Sequence, residues 1–196
     1  MTETRTAPPQ QTRARVERAA LDLFTLRGFE NVTSDEVADT SGISRRTFFR
    51  YFATKADAVW GDFSGHVARL EGLLAAADPA EPVLSSICAA YVEVNDYPQD
   101  ELPLLRERMR LILREPALLA HSQLRYAEVD RVVARYVAAR TDAAAGDLVP
   151  RLVAASTRAA ATTAFEAWLA DERSSLTGHL NRAFAEIAAG FPSLGR

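Results

Sequence analysis

Cysteine is almost missing from this chain: Cys88 is the only one in 196 residues. No internal disulfide can form, and nothing calls for an oxidising compartment. Lysine is as scarce. Lys55 stands alone, and arginine supplies the rest of the 23 basic residues, a bias that with the abundant alanine points to a GC-rich genome rather than to an activity. No run of about 18 apolar residues occurs, which excludes a membrane-spanning helix. The polar, proline-bearing start from Thr2 to Gln11 lacks the apolar core of a secretion signal, so the chain is expected in the cytoplasm.

Catalytic signatures are missing too. The three histidines, His66, His121 and His179, lie far apart and show no zinc-ligand spacing, and there is no G-x-S-x-G elbow, P-loop or G-x-G-x-x-G. Cys88 lies between Ile87 and Ala89 in an apolar stretch and reads as a structural thiol rather than a nucleophile. The chain is expected not to be an enzyme and to need no cofactor or metal. No segment alternates with a period of two and no hairpin dipeptide appears, so the expected fold is all-α.

What is present is an ordinary globular balance, 48% hydrophobic and 25% charged, with a net charge of −3. Its distribution is more telling than its sum. Residues 43–56 carry Arg45, Arg46, Arg50 and Lys55 and no acid, so a positive field is concentrated within a weakly acidic chain.

A polar arm over residues 1–11 reads as disordered. From about Thr12 to Arg27, Val16, Ala19, Ala20, Leu23 and Phe24 form a one-sided apolar stripe that Gly28 terminates, with Phe29 folding back. Thr33 and Glu36 form a capping box that opens a short second helix. Ser44 caps a third, Arg45 to about Phe52, after the turn Ser41-Gly42-Ile43. Two short helices joined by a glycine-containing turn make a helix-turn-helix. Further helices are expected over about 55–77, 81–97, 100–114, 116–140, 147–170 and 175–190, with prolines and glycines at the breaks. The total is about nine.

On the third helix, Ile43, Phe48 and Phe52 are placed to point inward. Arg45, Arg46, Phe49 and Arg50 then face out, flanked by Thr47 and Tyr51. A major groove admits one helix, and arginine donates bidentately to guanine. Thr33, Thr47, Tyr51 and Lys55 are placed to donate to phosphates, which sets register without reading sequence. The bland alternative is a solvated arginine face.

The run Gly28-Phe29-Glu30-Asn31-Val32-Thr33, then Glu36-Val37-Ala38, then Ser41 through Phe52, then Lys55, resembles the signature of the TetR family of bacterial regulators over about 45 residues. The resemblance implies an N-terminal three-helix DNA-binding domain (12–54) and a C-terminal helical domain (55–196) that binds a ligand and dimerises. It assigns phosphate contacts to Thr33, Thr47, Tyr51 and Lys55 and the groove to Arg45, Arg46, Phe49 and Arg50; Ser44, which caps the third helix, is a further candidate DNA contact. Many family members carry a smaller residue before the aromatic where this chain has Phe48-Phe49, so base preference does not carry over. Trp60-Gly61-Asp62-Phe63, the run Arg106 to Leu113 and the stretch Ala120 to Glu128 further resemble the TetR-type regulators that accompany mycofactocin biosynthesis clusters.

In the C-terminal part, Trp60, Phe63, His66, Tyr91, Met109, Leu113, His121, Leu124, Arg125, Tyr126, Phe165 and Trp168 are candidates to line an apolar effector pocket. Plain core packing is the alternative for each. Trp60 to Phe63 could equally brace the reader domain. The family's dimerisation pair corresponds to the last two helices. Leu148, Leu152, Ala155, Ala159, Thr163 and Trp168 on one, with Leu176, Leu180, Ala183, Phe184 and Ile187 on the other, form the expected stripes. These resemblances imply a homodimer on a palindromic double-stranded operator and a lipid-like effector such as a fatty acyl thioester. A sensor with a vestigial helix-turn-helix, or an activator, is the competing reading.

Overall fold

Ten α-helices make up the regular structure of residues 9–191, the part of the chain described by the computed structural model, and among those residues there is no strand. They are α1 (Pro9–Arg27), α2 (Ser34–Thr40), α3 (Arg45–Tyr51), α4 (Lys55–Trp60), α5 (Phe63–Ala75), α6 (Val83–Val94), α7 (Leu102–Arg114), α8 (Pro116–Thr141), α9 (Leu148–Ala170) and α10 (Leu176–Ala188). Among the described residues no helix is long and apolar enough to cross a membrane. The chain divides into two compact units, residues 9–61 with 103–119 and residues 62–102 with 120–191. The arm expected at 1–11 lies outside the described residues up to residue 8, and from Pro9 onward the backbone is already helical.

In the first unit α1 packs on α2 and α4, and α2 packs on α3. Val16, Ala20, Leu21, Phe24, Val37, Phe48 and Phe52 are buried together as its core. The stripe on α1 is turned slightly from the expected one: Leu21 is buried, whereas Ala19 and Leu23 are only half-buried. Gly28, at φ +82°, ends α1 in a left-handed conformation that costs glycine nothing. Phe29 then returns over the last turn, its ring 5.0 Å from that of Phe24 in an edge-on arrangement.

One long helix was expected over 55–77; the structure has two. Gly61 adopts φ 63° and ψ −142°, a combination open in practice only to glycine. Asp62 immediately caps the next helix by accepting from the Gly65 N–H at 3.1 Å. A stop and a start therefore sit side by side, and the count rises from about nine to ten. Gly61 is also braced: its carbonyl accepts from Arg13 Nη2 at 2.9 Å. Glu17 joins Arg13 to Arg108 of α7, at 3.0 and 3.1 Å.

In the second unit α9 and α10 lie against each other, α6 packs on both, and α5 packs on α6. Leu70, Ile87, Val133, Val137, Trp168, Leu180 and Phe184 are among its buried side chains. This corrects part of the expected dimer stripe. Trp168, Leu176, Leu180 and Phe184 are at most 3% exposed within a single chain, because the inward faces of α9 and α10 close the unit's own core. Leu148, Leu152, Ala155, Ala159 and Thr163, on the other side of α9, remain exposed.

Candidate nucleic-acid interface

The interface is built on two caps. Thr33 Oγ1 accepts from the Glu36 N–H at 3.2 Å, while the Glu36 carboxylate takes the Thr33 N–H at 2.8 Å. That N–H bond, with the Arg27 guanidinium 2.8 Å away, holds the Glu36 carboxyl down to about 2. Ser44 Oγ accepts from the Thr47 N–H at 3.2 Å and starts α3. Between the caps Gly42 stands at φ +65°, and the Ile43 N–H reaches back to Ala38 O at 3.0 Å to close α2. The caps and the turn fix where α3 begins.

Phe48 and Phe52 are fully buried, ring centroids 5.5 Å apart, and anchor the inner side of α3. Ile43, expected beside them, is only half-buried. Phe49 lies edge-on to Phe48 at 5.3 Å yet is 42% exposed, a large apolar surface left to water beside three arginines.

Those arginines are held differently. Arg45 forms an ion pair with Asp35 of α2 at 2.6 Å, and its guanidinium lies 5.5 Å over the Phe49 ring. Arg50 rests over Tyr51, 5.1 Å from its centroid, and donates to the Tyr51 hydroxyl at 3.4 Å. Arg46 is exposed, and among the described residues nothing engages it. Asp35 was not singled out in the sequence. Its only local signal is a place in the first turn of α2, and its partner lies 10 positions away.

Of the expected phosphate donors, Thr33 is an exposed cap residue, and Thr47 is half-buried with its hydroxyl 2.9 Å from that of Ser44, the exposed cap of α3. Tyr51 is half-buried beneath Arg50. Lys55 Nζ donates to the carbonyls of Phe29 at 2.7 Å and Val32 at 2.9 Å and lies 4.2 Å from the Phe29 ring centroid. Lysine has three donors, so these two bonds tie the α1–α2 loop to α4 and leave one over.

The residues considered for an effector pocket fall in both units. Trp60, Met109 and Leu113 belong to the first. In the second, Phe63 stacks on His66 at 6.0 Å, Arg125 lies 5.9 Å from the Phe63 centroid, and the Tyr97 hydroxyl is 3.4 Å from His66 Nδ1. Burial, reinforced by Arg69, pushes His66 down to about 4. Tyr91 is buried against Phe184 at 5.5 Å, and burial raises its phenol far above the ordinary range. Phe165 and Trp168 form an edge-on buried pair at 6.2 Å. Burial lifts Tyr126 to about 12 although Arg158 stands 5.8 Å over its ring. His121 is half-buried, and Leu124 is 71% exposed. Cys88 is half-buried, and burial lifts its thiol to about 11, the opposite of an activated nucleophile.

A capped helix-turn-helix with a cationic, aromatic outer face, followed by helices that form a separate unit, defines a class of bacterial DNA-binding regulators. Residues 18–58 match the family model described as bacterial regulatory proteins, tetR family, and residues 81–192 match the MftR C-terminal domain. The chain belongs to the TetR family of transcriptional regulators. It is 39% identical over 181 residues to the mycofactocin biosynthesis transcriptional regulator MftR of Mycobacterium tuberculosis, spanning 92% of this chain and 91% of that one. It is 30% identical over 166 residues to the HTH-type transcriptional regulator TcmR of Streptomyces glaucescens, spanning 81% and 74%. The fold is similar to that of FadR of Thermus thermophilus, a TetR-family repressor solved with lauroyl-CoA, with a TM-score of 0.56 at 19% identity over 90% and 93% of the two chains.

Proposed function

We propose that this regulator is a cytoplasmic homodimeric repressor that holds a palindromic operator and releases it on binding an apolar, acyl-type effector such as a long-chain acyl-CoA. The observation that carries the DNA reading is the outer face of α3, where exposed Phe49 stands among Arg45, Arg46 and Arg50. In this reading Arg45, Arg46, Phe49 and Arg50 enter the major groove, while Thr33, Ser44, Thr47, Tyr51 and Lys55 set register on phosphates. Residues 12–54 act as the reader, and residues 55–196 bind the effector and dimerise.

Dimerisation is supported by Leu148, Val149 and Leu152, which stand 78%, 57% and 57% exposed along α9, and by the two half-sites that a helix-turn-helix regulator needs for specific affinity. The acyl effector is supported by the apolar interior of the second unit and by the lauroyl-CoA complex of the Thermus relative. Phe63, His66, Tyr91, His121, Leu124, Arg125, Phe165 and Trp168 of that unit are the candidates for that role. DNA favours the arrangement in which the two recognition helices lie one duplex turn apart, and the effector favours another. It can shift that balance only by its difference in affinity for the two.

Gel retardation of the region upstream of the gene, repeated across salt, tests the reading. Specific retardation with a steep salt slope, reversed by acyl-CoA of one range of chain lengths, is the expected result. Retardation that no chain length reverses removes the acyl effector and leaves the DNA reading standing. No preference for the upstream region over scrambled duplex removes both.

A further inference from the structure

The outer face of α3 has an unexpected neighbour. Asp35 belongs to α2, yet its Oδ2 lies 2.6 Å from Arg45 Nη1, with the two side chains 50% and 68% exposed. Its other oxygen, Oδ1, is buried and has no hydrogen-bond partner. An acid beside a phosphate-binding surface weakens contact with every duplex, whatever its sequence. An ion pair this exposed contributes only about 0–1 kcal/mol to folding. The nearby Glu36 is explained by its capping box; Asp35 accepts no cap bond and pairs instead with Arg45.

The geometry points to Asp35 as a specificity determinant that acts through Arg45. The arginine is held on two sides, by the carboxylate and by the Phe49 ring 5.5 Å away, and Phe49 is itself seated edge-on against buried Phe48. Arg45 is thereby ordered before any partner arrives. One of its five N–H donors is engaged by Asp35, and the remainder are free to address the O6 and N7 acceptors of a guanine. Fixing a free arginine side chain costs up to about 2 kcal/mol of rotamer entropy, and here much of that ordering is already present in the fold. Arg46, which nothing among the described residues engages, has no such ordering. The same carboxylate repels phosphates wherever Arg45 finds no guanine. Asp35 therefore favours the right duplex and disfavours the wrong one.

This inference rests on the proposed DNA-binding function, and its test separates the two. Full-length protein is used to select duplexes from a random pool. The base preference at each position is then compared among the wild type, Asp35→Ala, Arg45→Ala and the double variant, with Asp39→Ala as a charge control on the same helix and urea melts to confirm folding. Asp35→Ala is expected to relax preference at the same base pair as Arg45→Ala. It lowers affinity for the selected site about 5–10-fold, inside the range for one base contact, and raises affinity for scrambled duplex. In the Arg45→Ala background, Asp35→Ala no longer lowers site affinity. If Asp35→Ala strengthens both duplexes equally, or weakens both equally with preference unchanged, Asp35 is only a background charge or a structural residue and the inference is overturned. If the wild type enriches no sequence at all, the DNA-binding reading fails and takes this inference with it.

Discussion

His66 shows how one half-buried ring makes the stability of its unit depend on pH. Burial first, then the Arg69 charge, pulls it from its ordinary 6.5 to about 4, so it stays neutral in the fold where the unfolded chain already binds a proton. The folded state therefore loses stability as pH falls from 6.5 to about 4, and below that this group adds nothing further. At 1.36 kcal/mol per unit the loss is on the order of 3 kcal/mol. Urea melts at several pH values should show this slope in the wild type and a flatter one in His66→Gln. Equal slopes over that window would show that the ring does not carry the effect.

Helices are where Gly61 matters. It separates α4 from α5 in a conformation that side chains avoid, and a Cβ there would lie 1.7 Å from Arg108 Nη1. Gly61→Ala is expected to destabilise the protein by about 1–3 kcal/mol from backbone strain alone, with more from displacing Arg108 and its pair with Glu17. Adding Arg108→Ala removes the clash but not the strain, so in denaturant melts the two costs should fall short of additive. A Gly61→Ala protein as stable as the wild type would refute the strain assignment.

The elements that were legible in the sequence are those set by neighbours in the chain. The Thr33–Glu36 box, the Ser44 cap, the turn at Gly42 and the Phe48–Phe52 pair all act within a few residues, and each was readable. The break at Gly61 was also written locally, but apolar periodicity runs on either side of it and masked the stop. Periodicity tells which residues share a face and not which neighbour covers it. For that reason Leu176, Leu180 and Phe184 read as a dimer stripe although they close the chain's own core. The Asp35–Arg45 pair depends on how α2 and α3 cross, and no local pattern announces it.

At the scale of the whole molecule, the exposed Leu148, Val149 and Leu152 call for a partner, and a second copy supplies one in the proposed dimer. Fully burying a leucine is worth about 1.5–3 kcal/mol. Leu148→Glu with Leu152→Glu is therefore expected to yield monomers in sedimentation equilibrium at concentrations where the wild type is a dimer, with operator affinity falling alongside. A doubly substituted protein that remains dimeric would place the interface elsewhere.

The most direct test of the account is the fluorescence anisotropy of labelled operator duplex titrated with Arg46→Ala and Arg50→Ala proteins whose melts match the wild type. Each lost base contact is worth about 1–3 kcal/mol, with little change on scrambled duplex beyond the loss of one charge. The account predicts operator affinity reduced by about 5–150-fold for each variant, with the preference over scrambled DNA narrowed. Wild-type affinity in both variants would contradict it, because the outer face of α3 would then not be the surface that meets DNA.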